Sequence, residues 1–138
     1  MIGFFIPFES VGDFKINSKI DDYFDLYEFE IFPKDGEYDS EKYNIDNPSI
    51  SLFVEDGVIE SICCDEECLY KGRNLIGMSI DEFISHTDEK YYGEIDEADF
   101  EEDNIPQYIY EFEDIGLQVW TKNDIVVTVI ASTACEDD

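Results

Sequence analysis

The sequence predicts an α+β fold: a mainly antiparallel sheet of about six to eight strands with one or two short helices. Three observations carry this. Apolar and polar residues alternate with period two in short runs, as at residues 27–32 and 108–113. Turn residues separate those runs, most plainly Asp56-Gly57. No long helical pattern alternates with the strands, which excludes a doubly wound parallel sheet. A chain of 138 residues suits a single compact domain over 1–138.

The elements follow in order. Residues 2–8 are an apolar run containing Pro7, which has no N–H to donate, so this is an edge strand or a strand that ends at the proline. At 27–32, Tyr27, Phe29 and Ile31 alternate with Glu28 and Glu30, the pattern of a half-buried strand with its acids in water. Residues 33–48, from Pro33 to Pro48, read as a long acidic loop with Asp35, Glu37, Asp39, Glu41 and Asp46, and loops of that length are functional or mobile. Residues 50–63 form the clearest hairpin: Ile50, Leu52 and Val54 alternate with Ser51, Phe53 and Glu55, and Asp56-Gly57 supplies a two-residue type I′ turn. Counting from that turn sets Val54 opposite Ile59 and Ile50 opposite Cys63. A further extended piece covers 68–71, after a turn at 65–67.

Residues 79–86 are the best helix. Ser79 is a good N-cap, Glu82 stands at the capping-box spacing, and Met78 and Phe83 are placed for a hydrophobic staple. Ile80, Phe83 and Ile84 share its inner face. Residues 87–106 read as a second acidic loop. A three-strand meander follows at 108–113, 117–121 and 125–131, with Gly116 and Lys122-Asn123-Asp124 at its turns. The run 125–130 is apolar on both faces, which suits a central strand covered on both sides. The tail 133–138 is expected to fray.

Charge narrows the function. Thirty-six Asp and Glu against eight Lys and Arg give a formal net charge of −28. Phosphate backbones and anionic membranes are bound by Lys and Arg, so nucleic acid and membrane surfaces are poor partners, which leaves a basic protein, a cation or no partner. Acidic disordered chains are poor in aromatics; 11 Phe and 9 Tyr argue instead for a folded core. No apolar stretch is long enough for a transmembrane helix, and the N-terminal run has no basic region before it, so the expected location is the cytoplasm with reduced thiols.

Catalytic and metal patterns are weak. His86, the single histidine, sits near the predicted helix C-terminus, where a capping role outweighs that of a general base paired with a cysteine. Cys63, Cys64 and Cys68 cluster and Cys135 is remote, but adjacent strand residues point to opposite faces, so core packing outweighs a zinc site. The acidic loops lack the EF-hand spacing. No nucleophile elbow, phosphate loop or zinc-protease motif occurs. The expectation is therefore a non-enzyme without cofactor or metal. The candidate partner-binding residues are Asp96, Glu97, Asp99, Glu101, Glu102 and Asp103, with Tyr38 and Phe100 as aromatic anchors, because carboxylates receive Arg and Lys and aromatic anchors dominate interfaces.

The segment Gly72-Arg73-Asn74-Leu75-Ile76-Gly77-Met78-Ser79-Ile80-Asp81-Glu82-Phe83, with the later Tyr110-Glu111-Phe112-Glu113-Asp114-Ile115-Gly116-Leu117, resembles the helix-then-meander layout of bacterial toxin-immunity proteins of the polymorphic-toxin and contact-dependent-inhibition kind. The small, acidic character of the whole chain is similar to theirs. That resemblance implies binding and inhibition of a cognate toxin, often a basic nuclease, by occlusion. Two alternatives stand beside it: a small-ligand or enzymatic β-rich domain with a deep apolar pocket, and an acidic accessory or structural subunit with an apolar interface.

Overall fold

The computed structural model describes residues 3–32, 41–46, 49–98 and 105–132. Its N-terminal part is a small three-stranded antiparallel sheet, β1 (Phe5–Ile6), β2 (Ser10–Val11) and β3 (Phe14–Lys15), followed by a 3-10 turn, Ile20–Tyr23. Strand β1 stops at Pro7, where the missing N–H ends the ladder. The main sheet is built from β4 (Glu30–Phe32), β5 (Glu41–Ile45), β6 (Ile50–Glu55) and β7 (Val58–Cys64). A two-residue pair, β8 (Leu69–Tyr70) and β9 (Arg73–Asn74), and the helix α1 (Ile80–Thr87) interrupt it, and β10 (Tyr92–Ala98), β11 (Gln107–Phe112), β12 (Leu117–Lys122) and β13 (Ile125–Ser132) complete it. The order across its eight strands is β10-β11-β12-β13-β7-β6-β5-β4, antiparallel throughout and open at both edges.

One face of this sheet is the core. Tyr43, Leu52, Ile62, Ala131, Leu117 and Phe112 lie in one cross-strand row on it, and Ile45, Ile50, Cys64, Val129, Val119 and Tyr110 in the next, all buried. Helix α1 covers one end, its Phe83 ring 4.8 Å from that of Phe112. The N-terminal strands and the 3-10 turn cover the other, where Phe14 packs on Tyr23 and Tyr27 at 5.1 and 5.0 Å. Backbone bonds fix this lid: Asn17 donates to Ile59 O at 2.7 Å, Ile59 to Ser18 O at 2.9 Å and Ile20 to Gly57 O at 2.9 Å.

The β6–β7 turn is the expected type I′, with positive φ at Asp56 and Gly57. Val54 pairs with Ile59 as counted, but Ile50 pairs with Cys64 and not Cys63. The reason is a bulge: Phe53 faces Ser61, so Glu60 is an extra residue on β7. One extra residue exchanges the two faces beyond it, and Cys64 enters the core while Cys63 stays half-exposed. A second bulge at Val127 sets Trp120 opposite Thr128 and Thr121 opposite Val126. Strand β13 is central, as its apolar run suggests, but is covered on one face only; Val127, Thr128 and Ile130 are half-buried on the other.

Three further expectations need correction, and one feature was not expected. The strand at 27–32 is reduced to β4, whose three residues are all exposed, while Tyr27 and Phe29 pack against the core from an irregular segment. The acidic loop at 33–48 contains β5, whose Tyr43 and Ile45 are buried; residues 33–40 and 47–48 lie outside the described ones. The acidic loop at 87–106 contains β10, so the meander has four strands. Two-residue strands β2 and β3 and the 3-10 turn at Ile20–Tyr23 add a lid that the sequence pattern did not announce. The expected fraying at 133–138 concerns residues outside those described.

Helix α1 runs one residue beyond the expected range. Ser79 caps it, its hydroxyl accepting from Glu82 N at 3.1 Å. Glu82 turns its carboxylate to Arg73 at 2.8 Å, and that guanidinium holds its carboxyl below the usual range. The helix ends at Asp88 in the left-handed conformation.

Candidate functional site

Strand β10 forms one edge of the main sheet and is acidic along its length: Glu94, Asp96 and Glu97 are all exposed. Tyr92 faces Glu111 and Asp96 faces Ile109, so β10 carries two more residues between these pairs than β11 does. Gly93 supplies the positive φ of this irregularity, which turns Glu94 and Ile95 off the ladder. Tyr92 anchors the start of the strand by donating to Asp114 Oδ2 at 2.7 Å.

The register separates the two described acids expected to bind together. Asp96 lies in the row of Ile109 and Trp120 on the open face; Glu97 lies in the row of Tyr108 and Thr121 on the covered face. Tyr38, Asp99, Phe100, Glu101, Glu102 and Asp103 lie outside the described residues.

Beside Glu97 is an open-mouthed depression of about 420 Å³, lined by Ile95, Glu97, Tyr108, Tyr110 and Asp124. Each member has a local cause. The alternation of β11 puts Tyr108 and Tyr110 on one face. Asn123 and Asp124, both with positive φ, turn β12 into β13 and deliver Asp124. The start of α1 is pinned to that turn, with Ile80 N donating to Asp124 O at 2.8 Å, which also brings Asp81 of the first helical turn close. The Tyr91 ring stands edge-on to Tyr110 at 5.1 Å.

The electrostatics are one-sided. Burial pushes the Tyr110 phenol above its ordinary value, and Asp124, Tyr91 and Asp81 push the same way, against an opposing hydrogen bond with Thr121. The phenol is thus a neutral hydrogen-bonding group at physiological pH. The depression combines aromatic faces with the carboxylates Glu97 and Asp124, the chemistry that receives a guanidinium or ammonium group by cation–π contact and charge-assisted hydrogen bonds. Sequence reasoning found Glu97 by acid density. It missed Tyr110, although strand alternation with Tyr108 points to it, and Asp124, whose turn residue chemistry was read only as a turn.

Among the described residues, the histidine and the thiols have packing partners. His86 Nε2 is 2.9 Å from Tyr70 O, which ties α1 to β8. Cys64 and Cys68 are buried, and the Cys64 thiol is pushed up by its hydrogen bond with Cys68 and then by burial. Burial first, then Cys64, raises Cys63 to about 12. Such thiols stay protonated and unreactive. Among the described residues no group of three or more His, Cys, Asp and Glu is placed to hold a metal ion, and no helix is long and apolar enough to cross a membrane.

No family model, no curated protein and no solved structure matches this chain.

Proposed function

We propose that this chain is a cytoplasmic binding protein that neutralises a basic protein partner, of the kind bacterial immunity proteins use against a nuclease-type toxin. The observation that carries the reading is the depression in which Glu97 and Asp124 converge on Tyr108 and Tyr110, continuous with the acidic edge strand β10. A Lys or Arg side chain of the partner enters it, and the acids along β10 draw in the basic surface around that residue. On a nuclease this surface holds nucleic-acid phosphate, so covering it blocks the substrate. The field of a chain at −28 speeds the encounter and repels competing polyanions. The lining is open and carries carboxylates, which favours a protein side chain over an enclosed metabolite.

The test begins with affinity capture from the native host at low salt. Recovery of one stoichiometric basic protein, with toxicity suppressed by this chain, is the expected result. The Glu97→Gln/Asp124→Asn variant should then weaken binding by at least about tenfold, the scale of one lost charge-assisted contact. A smear of basic proteins that vanishes at moderate salt, or a specific partner that binds the double variant as tightly, would overturn the reading or its site respectively.

A further inference from the structure

The opposite edge of the sheet carries a second, unlike surface. Strand β4 is the last in the order, and among the described residues no strand pairs with its outer side. Its Ile31 and Phe32 are 50% and 43% exposed, and nearby Phe24 and Leu26 are 45% and 66% exposed. Behind them Phe24, Phe29 and Tyr43 stack at 5.8–6.0 Å, so the patch rests on a packed aromatic base. Apolar groups this exposed beside a free strand edge are a liability unless something covers them.

Next to the patch is a depression of about 280 Å³ whose lining includes Glu28, Glu30, Asp46, Asn44 and Ser49. Glu30 and Asn44 face each other across the β4–β5 ladder, and Asn44 faces Ser51. Asn44 Oδ1 is cut off from solvent and has no hydrogen-bond partner among the described residues. A buried acceptor without a donor is destabilising, and this one sits among carboxylates that also only accept. Ser49 and the Asn44 amide nitrogen are the side-chain donors among the lining residues, against three carboxylates, so positive donors suit it best. A guanidinium offers five N–H groups in a planar fork and an ammonium three, enough to serve two carboxylates together.

We propose that the β4 edge takes an extended, basic segment of a partner protein, which pairs with β4 as an added strand and sets an Arg or Lys side chain into the Glu28–Glu30–Asp46 depression. Main-chain pairing with the free edge supplies affinity, and alternate side chains of the added strand meet the Ile31 and Phe32 faces. The proposal rests on the reading of a basic partner but uses a different surface, roughly 30 Å from β10 at ordinary strand spacing. A second copy of this chain is the poorer occupant, because β4 against β4 brings Glu28 and Glu30 of both copies to one seam.

The probe is a synthetic peptide of about seven residues alternating arginine with valine, long enough to span β4 and its flanks, with a glutamate-for-arginine peptide as control. It is titrated into the full ¹⁵N-labelled chain. Supporting results are saturable shifts of the β4 amides and of the Asn44 side-chain amide, slower hydrogen exchange of β4 N–H groups, and no response to the control. Glu28→Gln/Glu30→Gln should weaken the peptide by about tenfold while the chain stays folded. Shifts confined to the β10 end overturn this inference and leave the proposed function standing. Absence of saturable shifts at either edge counts against both. A concentration-dependent dimer lost in Ile31→Lys makes the occupant a second copy and overturns the inference.

Discussion

The bulge at Glu60 decides which residues of β7 enter the core, and Ile62→Ala tests it. With the bulge, Ile62 is 0% exposed and stands between Leu52 and Ala131. Without it, direct counting from Asp56-Gly57 sends Ser61 and Cys63 inward and Ile62 to the open face. Truncation to Ala removes three carbon groups, about 2.4 kcal/mol of transfer free energy. The cavity left beside the equally buried Leu52 adds about 1 kcal/mol, for a loss of about 3–4 kcal/mol in total. With a urea dependence of about 2 kcal/mol per molar, the unfolding midpoint should fall by about 1.5–2 M at an unchanged slope. The companion Cys63→Ser, on the half-exposed face beside Ser51 and Ile130, should stay within about 0.5 kcal/mol of the parent. Urea titrations followed by the fluorescence of Trp120 read both. A loss below about 1 kcal/mol for Ile62→Ala, with a larger one for Cys63→Ser, would refute the bulged register and with it the faces assigned beyond Glu60.

Other expectations follow from single positions. Gly116 has φ +65°, and a Cβ there would stand 2.6 Å from Ser132 O and 2.7 Å from the Phe8 ring; Gly116→Ala should cost at least about 2 kcal/mol in thermal or urea unfolding. Ser79→Ala removes the acceptor for Glu82 N and should cost about 1 kcal/mol by the same measurement. The thiol of Cys63 and the phenol of Tyr27 are each raised to about 12 from 9.0 and 10.0, so the unfolded state releases these protons first. Their contribution is complete below about pH 9 and is lost as pH rises toward 12, so the unfolding midpoint should decline across that window. Over the same range, alkylation of Cys63 and Cys64 in the native chain should stay slow until unfolding begins.

How much of this was legible depends on whether the local residues had to carry the information. The hairpin 50–63 was, because Asp56-Gly57 must take positive φ and the flanking alternation has one face to bury. The helix was, because Ser79 and Glu82 mark its start. Strand β10 was not: Glu94, Asp96 and Glu97 are poor strand formers, and an edge strand exposed over most of its length needs no apolar period. Its pairing with β11 holds it. Strand β5 was hidden for a related reason, since only Tyr43 and Ile45 of its five residues are buried. The bulges at Glu60 and Val127 were not legible either, because each is set by how distant strands align. The candidate site divides in the same way. Acid density pointed to Glu97, whereas Asp124 arrives from a turn far along the chain, and the amide of Asn44 acquires meaning only once Glu30 and Ser51 flank it.

The distribution of charge over the sheet bears on what the acidity is for. On the open face, the row Ser51, Cys63, Ile130 and Gln118 crosses the centre without a charged residue, while Glu30 stands at the β4 edge and Asp96 at the β10 edge. Like charges on an edge strand keep copies from pairing edge to edge, and that service alone accounts for a few acids. It does not account for apolar groups left exposed among them. Ile31 at 50% and Ile95 at 41% weaken a surface whose task is only to repel. The combination makes physical sense when the charge excludes a second copy and the apolar and aromatic groups await a chain of the opposite sign. Repulsion of self and attraction of a basic partner are then one field, and the sign of the approaching surface decides which is felt.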